Sequence, residues 1–189
     1  MSSPSDGGHQ GEHADDDERD TVVPDIRALA AHAADELAHA EARDEALARF
    51  VPARRALVLT RKPTMVPLGR VWRLGVLLLG RDATLYATGM TTRALEPGRP
   101  GYQSQSAELR REYRAAAFRG PFAPGETVNF DARLIDLSPA ALASAGGPLV
   151  LDGERPLVRW AAAGAAAVPL DVYLADRVAL LAHPPQGAS

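Results

Sequence analysis

Arg110, Arg111 and Arg114 stand close together in "AELRREYRAAAFRG", residues 107–120. Positions three and four apart are neighbours on a helix, so Arg110 and Arg114, with Arg111 beside Arg114, would make one cationic patch. Such a patch suits phosphate or another anion. With Arg54, Arg55, Arg61 and Lys62 it could neutralise several phosphates of a polyanion. Glu108 and Glu112 share the stretch, and Glu108, three residues before Arg111, would offset part of the charge. Aromatics do not interleave with the basic run as stacking platforms do. Neither helix-turn-helix nor zinc-finger spacing is present. The expected partner is therefore an anion of unspecified kind, with nucleic acid the lesser alternative.

A second candidate is polar and lies on a strand pattern. In "TVNFDARLIDL", Asn129, Asp131 and Arg133 alternate with Val128, Phe130, Ala132 and Leu134. If neighbouring strands bring up Arg73 and Arg159, the set Arg73, Asp131, Arg133 and Arg159 would be a polar cluster. Buried charges must be paired, so such a cluster is either a structural ion pair or a site for a small anionic metabolite. The Pro- and Gly-rich "EPGRPGYQ", with Arg99 and Tyr102, has the composition of a binding loop or of an ordinary connection.

The remaining chemistry is sparse. His9 and His13 beside Asp15, Asp16 and Asp17 could gather a divalent ion loosely, and His32, Glu36 and His39 share a helix flank with a Glu-x-x-His step. Neither set is complete, and a solvated surface explains both. No nucleophile elbow, phosphate loop or dinucleotide fingerprint occurs. No cofactor, metal or catalytic residue is assigned, and a binding role is expected ahead of catalysis.

Composition narrows the frame. The 189 residues are 46% hydrophobic and 24% charged, and cysteine is absent, which removes disulfides and thiolate chemistry. Of the 21 basic residues only Lys62 is lysine, and arginine, alanine, glycine and proline together fit a high-GC bacterial coding bias. Charge is uneven: residues 1–50 hold 4 basic and 13 acidic side chains, 51–120 hold 13 and 4, and 121–189 hold 4 and 7. Such asymmetry points to an anionic partner, or to an acidic head that pairs with the basic middle of its own chain. The start, "MSSPSDGGHQ", lacks the basic and apolar blocks of a secretory signal, and no apolar run reaches the roughly 20 residues of a membrane helix. A soluble, cytoplasmic protein is expected.

These side chains need elements to position them. Residues 1–22 are too polar to offset the entropy of ordering and are expected to form a disordered acidic tail, followed by a single domain over 23–185. A helix is predicted from Asp25, with Ile26, Ala30, Ala33, Leu37, Ala40 and Leu47 along one seam. "RALVLTR" reads as a strand, "KPTMVPLG" as a loop, and "RVWRLGVLLLG" and "ATLYATGM" as strands joined by a tight turn at Gly80. A helix over 105–118, the strand at 127–137, a short helix capped by Ser138, a hairpin at Asp152-Gly153 and a helix with Leu170, Tyr173, Leu174, Val178 and Leu181 follow. "AAAGAAAV" fits strand or coil. The order gives the α+β class: an antiparallel or mixed sheet of about five to seven strands covered by an N-terminal, a central and a C-terminal helix. The function expected is that of a non-catalytic cytoplasmic binding or accessory protein. An enzyme or sensor for a small anionic metabolite, or a homo-oligomeric structural component, are the alternatives.

Overall fold

Val22, Ile26, Ala30, Ala33 and Leu37 recur at steps of three and four along helix α1 (Glu12–His39). Each is buried in the computed structural model, which describes residues 12–56, 59–98, 104–144, 146–160 and 167–184. The helix begins inside the span expected as tail, and Val22 belongs to the core. The seam ends sooner than its spacing suggests. Glu41 turns left-handed at φ 50°, Ala42 N donates to Leu37 O at 2.9 Å and Glu41 N to Ala38 O at 3.1 Å, so paired bonds close the helix. Leu47, predicted as helical, instead lies in strand β1 (Glu45–Val51).

Beyond β1 the expected single strand is a two-stranded antiparallel hairpin, β2 (Arg54–Ala56) with β3 (Leu59–Arg61). The segment expected as a loop opens the long strand β4 (Thr64–Leu74). Proline is tolerated there because the register shifts: Leu47 faces Gly69 while Ala48 faces Pro67, and Leu68 bulges outward. The apolar run "RVWRLGVLLLG" is not one strand. It folds at Gly75-Val76 into β4 and β5 (Leu77–Gly80), with Leu74 opposite Leu77 and Gly75 at φ 65°. The Gly80 turn joins β5 to β6 (Leu85–Ala87) as predicted.

Strand β7 (Met90–Arg93), helix α2 (Gln105–Phe118), β8 (Thr127–Phe130) and β9 (Arg133–Leu134) follow. The seven strands order as β7-β8-β1-β4-β5-β6-β9, all antiparallel except β1 beside β8. The two ends of that order belong to one ladder. Ala87 of β6 faces Arg133 of β9, and three residues on Met90 of β7 faces Phe130 of β8, without a slip in register. Because β6 runs into β7 and β8 into β9 across two-residue bends, the sheet curls closed on itself. Asp131 sits in one bend at φ 54°, and Gly89 in the other, where a β-carbon would strike the backbone of Phe130 and Asp131. Leu47, Val71 and Leu78 fill the inside, with Tyr86 and Ala132 against them.

Helices cover the outside in two separate clusters. Trp72, Leu74, Leu77 and Leu79 meet α1 and helix α4 (Leu170–Ala182), together with Leu149 and Val158 of a second sheet. That sheet comprises β10 (Leu149–Asp152), β11 (Arg155–Val158) and β12 (Val168–Pro169), preceded by helix α3 (Pro139–Ala143). Ser138 caps α3 by accepting from Ala141 N, and Asp152 faces Arg155 across the Gly153 turn, both as the sequence implies. Residues 161–166 of "AAAGAAAV" lie outside the described residues. The second cluster sets α2 against Ala46, Ala48, Met65, Val128 and Phe130. The chain is thus an α+β fold with a mixed sheet of seven strands, a smaller sheet and helices from both termini and the centre. No helix among the described residues is long and apolar enough to cross a membrane.

Candidate anion-binding site

The basic middle of the chain divides into arginines tied to carboxylates and arginines that are not. Asp44, in the turn after α1, accepts from Arg70 at 2.5 Å through one oxygen and from Arg81 at 2.6 Å through the other. Arg70 also pairs with Glu126, whose second oxygen takes the Ala123 N–H at 2.9 Å. Arg81 lies over the Trp72 ring at 5.3 Å, and Trp72 Nε1 donates to Ala42 O at 3.0 Å. Burial pushes the Asp44 carboxyl up, but hydrogen bonds and charge from Arg70 and Arg81 outweigh it and hold it below its ordinary 3.8. These guanidiniums are already matched.

Arg73 is matched too, through the inside of the closed sheet. Asn129 is buried, at 1% exposed. Its amide nitrogen donates to Glu45 Oε2 at 2.7 Å and its amide oxygen accepts from Arg73, which also donates to Thr91 Oγ1 and lies 3.5 Å from Glu45 Oε2. The β8 pairings explain the meeting: Asn129 stands opposite Leu47 of β1 and Thr91 of β7. Of the polar strand face and the arginines expected to meet it, this network holds Asn129 and Arg73. Asp131 occupies the exposed bend, Arg133 is exposed on β9, and Arg159 follows β11 and donates to Gly147 O at 3.1 Å. Glu45 and Thr91 carried no local signal, because their partners are distant in the chain.

Helix α2 presents the other kind of arginine. Ala116 and Ala117 are fully buried, and their small side chains let the helix lie close on β4 and β7. Tyr113 anchors it, with its ring 5.1 Å from Phe50 and 4.7 Å from Phe130. Anchoring that face turns Arg110 and Arg114 to solvent and leaves Arg111 half-buried at the flank. Among the described residues no ion pair holds Arg110, Arg111, Arg114 or Lys62; the Glu108–Arg111 compensation expected from spacing is not made.

Between α2 and the β3–β4 connection runs an open groove of about 640 Å³, lined by Lys62, Pro63, Pro97, Gly98, Glu108, Arg111, Glu112, Ala115 and Arg119. Arg119 Nε donates to Pro63 O at 2.7 Å and ties the helix end to the Lys62 wall. The groove brings the Arg111 part of the predicted patch to Lys62 and to the first residues of the Pro-Gly loop. Arg99 and Tyr102 of that loop lie outside the described residues, as does His9. Other exposed arginines are dispersed: Arg27 on α1, Arg133 on β9, Arg155 on β11. His32, Glu36 and His39 are exposed on α1, where His39 Nδ1 donates to Asp35 O at 2.7 Å. No family model, curated protein or solved structure matches the chain.

Proposed function

We propose that this is a non-catalytic cytoplasmic binding protein whose α2 surface takes an anionic partner. The observation that carries the reading is the segregation of its cations. Arg70, Arg73 and Arg81 are engaged by Asp44, Glu45, Asn129 and Glu126, whereas Arg111 and Lys62 line one groove from two elements and Arg110 and Arg114 lie exposed beside Arg111 on α2, none of the four in an ion pair among the described residues. Exposed unpaired cations carry little desolvation penalty and attract phosphate or carboxylate groups over about 8–10 Å at ordinary ionic strength. The Arg73 cluster supports a structural role, since its polar atoms serve one another inside the sheet.

Elution from a polyanion resin tests this. The protein is expected to bind at low salt, and the triple variant R110Q/R111Q/R114Q to elute at clearly lower salt, while R155Q on β11 elutes as the parent does. Equal elution of parent and triple variant would contradict the reading.

A further inference from the structure

Phe118 ends α2 with 47% of its surface exposed. It follows Arg114 by four residues and Arg111 by seven, so helical spacing sets the ring on the same outward stripe as both guanidiniums. Tyr113 makes the ring contacts of this helix, and among the described residues no ring or cation–π contact holds Phe118. About half of this aromatic side chain is left to solvent beside two arginines without an ion pair.

The groove narrows the chemistry of the occupant. Its lining has charged residues, prolines, Gly98 and Ala115, and no large apolar side chain. Protein interfaces draw their energy from aliphatic or aromatic anchors seated in desolvated pockets, which this lining does not provide. A phosphodiester strand asks for spaced cations along its backbone and an exposed ring for a base.

We propose, resting on the anion-binding reading of α2, that the surface binds single-stranded nucleic acid, with phosphates on Lys62, Arg111 and Arg114 and one base stacked on Phe118. Glu108 and Glu112 lower the net charge, so binding is weak and strongly salt-dependent. A duplex keeps its bases stacked among themselves and cannot use the ring.

Fluorescence anisotropy of the full chain with labelled oligothymidylate and oligouridylate of about twelve nucleotides tests the proposal. Both single strands are expected to bind more tightly than a duplex of equal length. With three phosphates engaged, log K should fall with log salt at a slope of about −2. F118A and F118L should each weaken binding about tenfold, F118W should preserve it, and all three should keep the parent melting temperature. R111Q/R114Q should flatten the salt slope. Parental binding by both F118A and F118L, or preference for the duplex, overturns the proposal. If the triple arginine variant loses the polyanion resin while the Phe118 variants bind oligonucleotide as the parent does, the nucleic-acid assignment falls and the anion reading stands. If neither resin nor oligonucleotide binds at low salt, both fall.

Discussion

Single polar atoms join the layers of this molecule. The Tyr173 hydroxyl of α4 donates to Leu74 O at 2.9 Å and accepts from Val76 N at 3.0 Å, holding both sides of the Gly75 turn. Tyr173→Phe leaves a buried carbonyl and an amide without that partner, so it should cost about 1–3 kcal/mol, read from urea unfolding. Asp44 gives the pH dependence its sign. Its carboxyl is held below its ordinary value in the fold, so its contribution is complete above the unfolded pKa and is lost as pH falls through the folded one. Stability should therefore drop on acidification below about pH 4, and Asp44→Asn should lower the neutral-pH plateau and flatten that acid limb. Thermal melts across pH 2–7, about the carboxylate range, decide it. An acid limb in D44N as steep as in the parent would assign the loss to other carboxylates.

Elements were legible in sequence where one residue type serves one purpose. Ser138 and Pro139 start a helix, Gly153 turns a hairpin, and the Leu170–Val178 stripe makes α4. The curl of the sheet was not. "RVWRLGVLLLG" reads as a single strand because it is apolar on both faces: Val71 and Leu78 fill the inside while Trp72, Leu74 and Leu79 meet the helices. Leu47 passes as the end of the helix seam for a related reason, since Ala46 and Ala48 beside it in β1 continue the alanine-rich composition of α1. The polar network was legible in part: alternation sets Asn129 on a polar strand face that Arg73 could meet, but spacing within either segment is silent about Glu45 and Thr91, which join them from two further strands. Gly89 is the element-level hinge of the closure. A β-carbon there would strike the Asp131 and Phe130 backbone, so Gly89→Ala should separate the β6–β9 and β7–β8 halves of the ladder and cost about 2 kcal/mol or more. Amide exchange should rise at Tyr86, Ala87 and Met90, and unchanged protection there would argue against a continuous ladder.

At the scale of the molecule, α1 packs with α4, β5 and β11, whereas α2 packs with β4 and β7 in a different core cluster. The proposed role of α2 calls for an external anion rather than an acidic head folded onto the basic middle. D15N/D16N/D17N should accordingly move polyanion elution less than R110Q/R111Q/R114Q does. The most direct measurement is a two-dimensional amide spectrum of the whole chain titrated with a polyanion at low salt. Shifts should concentrate on Arg110–Arg119 and Lys62 and spare Asp44, Arg70, Arg81 and α4. Shifts centred on the carboxylate-matched arginines, or on the α1–α4 side, would contradict the assignment of α2 as the binding surface.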